Sequence, residues 1–399
     1  MTHASGDVQE KSCPGPGPAS EISTEAVLKA RIRRSLQRLD RPLADAVSLE
    51  PEMYRDAAVF ELERKDVFRR NWVSVCRLED LSGVTNCKAV EIAGERLFVI
   101  RKRSGEVRAL SRTCAHRWAE LASPEGQVQR LVCPNHAWVY DLDGQLIGAP
   151  QMDAAEVRAR FGCRLDSFAC ETWQGWVFVN LDGNARPLGE GLAAIDAQVA
   201  PWQLDRMRRI LPPIIFEGPF NWKTICENLG EAYHVIGVHK TTVWPSLDYT
   251  KSEWTQDPDL YCRSEFPTQS PDGAGLLGGN PIPVPNGFCG TWAYNLFPCH
   301  LFGLTHDFCV WQRLEVYGPD RLRMEMHVLA PPETNVPGAL LDKLSSSIRA
   351  VEQEDQDAFA RIARGTRSAS ARPAPFCKHE FGTWAFQRWW AAHIVQLTR

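Results

Sequence analysis

Cys114-Ala115-His116 and Cys133-Pro134-Asn135-His136 decide the reading of this chain. Each short segment supplies one thiol and one imidazole. Two such pairs suit a [2Fe-2S] cluster in which two Cys hold one iron and two His hold the other, an arrangement with a reduction potential well above that of an all-Cys cluster. A structural zinc is the alternative. Zinc sites usually group their ligands as a Cys pair followed by a His pair, whereas here Cys and His alternate, so each metal of a binuclear cluster can take one ligand from each segment. Pro134 fixes one of the two loops, and Trp138 and Tyr140 place bulky rings beyond it, before the turn Asp141-Leu142-Asp143-Gly144.

The chain has 399 residues, enough for two domains with a core each. Its net charge of -4 argues against a nucleic-acid surface, and the basic run Arg31-Ile32-Arg33-Arg34 reads as one solvated helix face. The 13 Cys are odd in number and follow no framework spacing, and no apolar signal segment opens the sequence, so a reduced, cytoplasmic protein is expected. No run approaches the ~20 apolar residues of a membrane helix, and no membrane partner is expected.

Residues 1 to 22 are rich in Gly, Pro, Ser and charge and read as a disordered tail, with Cys13 inert within it. A helical segment over 23 to 70 follows, one helix over 24 to 39 and a second from Ala57 into Phe68. Trp72 to Cys76, Leu97 to Ile100, Val107 to Leu110 and Val177 to Leu181 are short β-rich runs, as a small antiparallel domain over 71 to 184 would show. The turn Asp182-Gly183-Asn184 and Pro187 mark its boundary with a second domain over 185 to 399.

That second domain holds another constellation. Asn221 to His239 reads as one helix, on which Glu231 and His234 share a face. His234 and His239 lie about 140° apart on an ideal helix, so they can meet one metal only if the helix bends or ends between them, and Gly237 makes that cheap. Far downstream, Leu341, Leu344, Ile348, Val351, Asp355, Phe359 and Ile362 follow one helical stripe that Asp355 alone interrupts. A carboxylate buried among Leu, Ile and Phe needs a compensating cation, whereas Glu352, Glu354 and Asp357 fall off the stripe and can stay in water. His234, His239 and Asp355 would make a 2-His-1-carboxylate triad that leaves positions on Fe(II) open for dioxygen. The alternatives are two ordinary histidines and a helix-face salt bridge from Asp355 to Arg349 or Arg361.

On these residues the chain resembles the Rieske, ring-hydroxylating non-haem iron oxygenases. CAHRW, CPNHAWVYDLDGQL and GAP resemble the Rieske iron-sulfur domain, in which the family usually has Gly where Trp118 and Ala137 stand. Glu227-Asn228-Leu229-Gly230-Glu231-Ala232-Tyr233-His234 with His239 resembles the catalytic motif, and Glu354-Asp355 with Gly365 resembles the third-ligand region. The resemblance implies an α+β chain: a small antiparallel Rieske domain, then a helix-grip catalytic domain, an antiparallel sheet curled around a long helix. It implies Cys114, His116, Cys133 and His136 as cluster ligands, His234, His239 and Asp355 as iron ligands, and Glu231 and Asn228 in catalytic roles beside them.

By the same resemblance, electrons come from NAD(P)H through a reductase, sometimes with a ferredoxin, and O2 is co-substrate. Glu at position 231, where many ring dioxygenases have Asp, is similar to the choline, glycine betaine and carnitine oxygenase branch. It implies a carboxylate bridging His136 of one subunit and His234 of its neighbour in a homotrimer. Monooxygenation of an aromatic or N-methylated compound, by hydroxylation or oxidative demethylation, is the first expectation, aromatic cis-dihydroxylation the second, and a Rieske electron carrier the reading from another class. Trp254, Phe288, Trp292, Tyr294, Phe297, Phe302 and Trp311 supply candidates for a substrate wall or ammonium cage, though most read as ordinary core.

Overall fold

The computed structural model describes residues 19–123, 126–268, 277, 282 and 288–396. Helix α1 spans Ala19–Leu39, so it begins inside the stretch expected to be a tail; residues 1–18, with Cys13, lie outside the described residues. Helix α2 (Ala57–Leu62) starts where the Asp56 carboxylate accepts the Ala58 amide and runs on through a π-helical turn, Glu63–Phe68.

Nine strands follow: β1 (Val73–Arg77), β2 (Cys87–Ile92), β3 (Glu95–Arg101), β4 (Val107–Ser111), β5 (Leu131–Val132), β6 (Val139–Tyr140), β7 (Leu146–Gly148), β8 (Ser167–Trp173) and β9 (Trp176–Asn180). They form a six-stranded antiparallel sheet in the order β1-β9-β8-β4-β3-β2 and a small sheet β5-β6-β7, with α3 (Ala154–Phe161) between β7 and β8. Alternation along β2 and β3 sends Cys87, Phe98 and Ile100 into a core shared with Leu110, Cys114, Cys133, Trp138 and Tyr140. The loops bearing Cys114 and Cys133 are thereby anchored from inside.

After α4 (Leu188–Val199), β10 (Arg208–Arg209) and β11 (Ile214–Gly218), helix α5 spans Trp222–Leu229. Strands β12 (Glu253–Asp257), β13 (Tyr261–Pro267), β14 (Gly290–Leu296), β15 (His300–Leu304), β16 (Cys309–Gly318) and β17 (Arg321–Ala330) complete an eight-stranded antiparallel sheet, β10-β17-β16-β15-β14-β13-β12 with β11 also on β17. Helices α6 (Gly338–Gly365) and α7 (Phe381–Gln396) follow. The candidate ring residues Trp292, Tyr294, Phe302 and Trp311 are buried in one apolar cluster of this sheet, with Tyr294 stacked on Phe302, and Phe297 packs against Trp389; they are core, as most were expected to be.

The segment Asn221 to His239 is not one helix. Helix α5 starts where Asn221 accepts the Lys223 amide and stops at Leu229, because Gly230 lies against Gly382 at the start of α7. A Cβ on Gly382 would sit 2.2 Å from the Gly230 carbonyl oxygen, so the two backbones meet at a distance only glycines allow. The irregularity expected at Gly237 therefore falls earlier, and Gly237 keeps an ordinary φ of -99°.

The two large sheets share an apolar core, and Arg77, almost fully buried at the end of β1, ties the first of them to the segment leading into β10. It lies over the Trp176 ring and donates to the carbonyls of Leu204 (2.9 Å) and Met207 (3.1 Å). Beside it Arg209 donates to Asp80 Oδ1 at 3.0 Å.

Candidate metal centres

The two loops that carry the alternating Cys and His are built alike. Trp118 N donates to Cys114 O at 3.0 Å and Ala137 N donates to Cys133 O at 3.1 Å, so each loop turns over four residues from its Cys. Closing that turn needs a left-handed residue, and Trp118 (φ 58°) and Ala137 (φ 55°) adopt it without being glycine. An L side chain there costs roughly 1–2 kcal/mol, which explains the glycine usual at both positions in the family the sequence resembles.

Cys114 and Cys133 are buried, whereas His136 is exposed and His116 half-buried, so the imidazole edge of the site faces outward. The His116 and His136 rings lie 4.7 Å apart, and His116 stacks on Trp138 at 4.5 Å. Burial pushes the Cys114 thiol up, and the neighbouring Cys133 adds to it, so a cation beside the pair is what would favour the Cys114 thiolate. His116 Nδ1 is buried with no hydrogen-bond partner among the described residues. Orphaned nitrogen and paired thiols are what a metal cluster would satisfy. The Tyr140 hydroxyl lies 3.1 Å from Cys114 Sγ and accepts the Ala115 amide at 3.1 Å.

The second centre is assembled from α6 and the turn after α5. One nitrogen each of His234 and His239 and one oxygen of Asp355 lie within 4.8 Å of one another. His239 Nε2 is 3.0 Å and His234 Nε2 3.8 Å from Asp355 Oδ1. The opposite nitrogens are held by other carboxylates: His234 Nδ1 by Glu231 at 2.6 Å and His239 Nδ1 by Glu354 at 2.7 Å. Each imidazole is thus fixed through Nδ1 and offers Nε2 to the common point, the arrangement a metal-binding histidine uses. Burial disfavours charge on both rings, yet Glu231 beside His234, and Asp355 and Glu354 beside His239, hold both pKa values above the usual range; a metal cation at the common point would take the place of the proton that these carboxylates favour.

Glu231 also orders the backbone. Its second oxygen accepts the amides of Tyr233 and of His234 (3.0 Å), capping the 3-10 turn His234–Ile236 that replaces the expected helix. Asn228 Nδ2 donates to Asp355 Oδ1 at 3.2 Å, so both residues given catalytic roles by resemblance touch the triad. Neither Arg349 nor Arg361 pairs with Asp355 among the described residues.

Two neighbours of Asp355 depart from expectation. Glu354 is not merely solvated: it holds His239 and accepts the Thr242 hydroxyl at 2.6 Å. Glu352 is buried rather than in water, and burial together with Asp355 pushes its carboxyl up to about 8. The spacing 348, 352, 355, 359 puts Glu352 on the inner face of α6, where the buried residues are Leu344, Glu352, Asp355 and Phe359. The expected stripe ran through Val351 instead and so missed it. Nothing local marked Thr242.

Comparison with known proteins agrees with this geometry. Residues 71–169 match the Rieske [2Fe-2S] domain, and residues 197–396 match the catalytic domain of the ring hydroxylating alpha subunit. The chain belongs to the ring-hydroxylating α-subunit family. Among curated members, the oxygenase subunit of glycine betaine monooxygenase from Chromohalobacter salexigens is 32% identical over 212 residues, 53% of this chain and 46% of that protein. The carnitine monooxygenase oxygenase subunit of Escherichia coli K12 is 30% identical over 199 residues, 49% and 53% of the two chains. The alignments thus span about half the length of these relatives. A solved quaternary ammonium Rieske monooxygenase has the same fold, with a TM-score of 0.77 at 21% identity over 90% of this chain and 98% of that one. The family's two domains imply a [2Fe-2S] cluster and mononuclear iron, and both donor sets fit them.

Proposed function

We propose that this chain is a terminal oxygenase component that uses O2 to oxidise a small N-methylated or quaternary ammonium compound by monooxygenation. The observation that carries the reading is the coexistence of two complete and chemically different donor sets in one chain, Cys114, His116, Cys133 and His136 beside His234, His239 and Asp355. The cluster would supply single electrons and the mononuclear iron would activate dioxygen. The chain's own residues do the rest. Glu231 and Glu354 orient the two imidazoles, Asn228 holds the Asp355 carboxylate, and Tyr140 places a hydroxyl against the Cys114 sulfur.

The substrate class rests on Glu231 and on the relatives, which are named for glycine betaine and carnitine. A reductase, with or without a ferredoxin, drawing on NAD(P)H is the electron donor proposed. No helix among the described residues is long and apolar enough to cross a membrane. A cytoplasmic location is proposed because buried thiols such as Cys76, Cys87, Cys226, Cys299 and Cys309 suit a reducing compartment. A homotrimer is proposed from the family resemblance; the exposed His136, with Trp118 82% exposed on the companion loop, and the exposed Tyr233 and Ile236 beside His234 would let the cluster of one copy face the iron of its neighbour. Glu231 Oε1, which accepts only from His234 among these contacts, has one lone pair left to reach such a copy's His136.

The test is substrate-dependent consumption of NADH and O2 with a reductase present, across betaines, N-methyl compounds, benzoates and phenols. Demethylated or hydroxylated product from the ammonium compounds is expected. Product from uncharged aromatics alone would remove the ammonium reading.

A further inference from the structure

Helix α5 has two sides with different tasks. Its residue Asn228 faces Asp355, while Lys223 and Glu227, four apart, face away into the N-terminal segment and α7. Lys223 is fully buried, pairs with Glu63, and lies 5.0 to 5.6 Å from the rings of Tyr54, Trp222 and Trp390; Glu63 also accepts the indole N–H of Trp222 (3.0 Å) and Trp390 (2.9 Å).

One turn on, three side chains from three distant segments close a ring. The Tyr54 hydroxyl donates to Glu227 Oε1 at 2.6 Å, and Gln387 Nε2 donates to the same oxygen at 3.0 Å and to the Tyr54 hydroxyl at 2.9 Å. The Gln387 amide cannot flip, because its Oε1 accepts the Leu49 amide at 2.9 Å. Thr383 adds a hydrogen bond to the Glu227 carbonyl at 3.1 Å. The ring therefore grips both side chain and backbone of the residue immediately before Asn228. Burial pushes the Glu227 carboxyl up to about 7 against the pull of its two donors, so the ring holds in its neutral form too, in which the same Oε1 still accepts.

We propose that Tyr54 and Gln387 are positioning residues for the mononuclear metal site, acting through Glu227 to set the Asn228 amide against Asp355. This rests on the metal site proposed above. A segment more than 170 residues upstream of the triad would then govern metal affinity without touching a ligand. Buried hydrogen-bond rings with a fully used amide have few alternative arrangements, so loss of one hydroxyl is transmitted rather than absorbed.

The test is calorimetric titration with Co(II) of full-length protein that carries its cluster but has been stripped of mononuclear metal. Tyr54→Phe removes one oxygen and should weaken Co(II) binding about 10-fold, equivalent to about 1.4 kcal/mol, with the cluster spectrum unchanged. In an Asn228→Ala background the same substitution should add less than about 2-fold, because its route to Asp355 is already cut. Glu227→Gln, which keeps an acceptor oxygen, should bind within about 3-fold of wild type, whereas Glu227→Ala should not. Gln387→Met, opening the ring from the other side, should repeat the Tyr54→Phe pattern. Wild-type affinity in Tyr54→Phe and Gln387→Met, or full additivity with Asn228→Ala, would overturn the proposal. Failure of the wild type to bind Co(II), or equal binding by Asp355→Ala, would instead overturn the metal site itself.

Discussion

Glu354 accepts a hydrogen bond from His239 Nδ1 at 2.7 Å, the counterpart of the 2.6 Å contact between Glu231 and His234. The two carboxylates reach the site from different elements, one on α6 and one in the turn after α5, and each turns an imidazole so that Nε2 points inward. Glu354→Ala should therefore lower mononuclear metal affinity by about 10- to 100-fold, the usual consequence of losing a carboxylate behind a metal-binding histidine. Titration of the stripped protein with Fe(II) under anaerobic conditions measures it. Unchanged affinity would return Glu354 to the role of a surface residue.

Glu227 sets a pH dependence of opposite sign to that of the salt-bridged carboxylates. Its folded pKa is raised to about 7 by burial, so the fold favours the neutral carboxyl. The resulting stability is complete below the ordinary Glu value of about 4.3 and is lost as pH rises toward 7, amounting to a few kcal/mol. Asp80 runs the other way: despite its burial, Lys88 and Arg209 hold its carboxyl down to about 2, and its stability is lost as pH falls from about 4. Urea unfolding of Glu227→Gln between pH 4.5 and 7.5 should show a shallower decline than wild type. Parallel curves would contradict the assignment.

The clamp at Arg77 should be costly to remove. Arg77→Leu leaves the carbonyls of Leu204 and Met207 without their buried donor, each worth about 1–3 kcal/mol, and removes the cation over Trp176. Thermal unfolding should fall by several degrees, with both halves of the chain unfolding less cooperatively. A change within about 0.5 kcal/mol, typical of a surface substitution, would show that the two sheets are held elsewhere.

Trp118→Gly relieves a left-handed residue whose ring is 82% exposed and contributes little burial. The isolated chain should be as stable as wild type or up to about 1 kcal/mol more so, since relief of strain outweighs the added freedom of the unfolded chain. If the ring instead anchors a neighbouring copy, sedimentation should show weaker assembly at unchanged monomer stability. Loss of the cluster spectrum would show that Trp118 is needed for the loop itself.

The parts of the site legible in the sequence were those carried by short segments or by a broken pattern. Each cluster loop holds its Cys and His within four residues, and Asp355 announces itself by interrupting an apolar stripe. Glu231 could be placed against His234 because they are only three positions apart, although a turn and not the expected helix brings them together. The end of α5 could not be foreseen, because its cause, Gly382, lies over 150 residues away in sequence. Glu352 was missed because an adjacent Val351 offered an equally regular stripe, and the ring of Tyr54, Glu227 and Gln387 joins three segments that share no pattern at all.

The central claim is that one chain holds two separate metal sites, and metal content tests it most directly. Anaerobically prepared wild type should contain about three iron and about two acid-labile sulfide per chain, with the rhombic signal of a His-ligated cluster on reduction. Asp355→Ala should lose about one iron and keep the sulfide and the signal unchanged. A colourless wild type with a single zinc, or loss of sulfide together with iron in Asp355→Ala, would contradict the account.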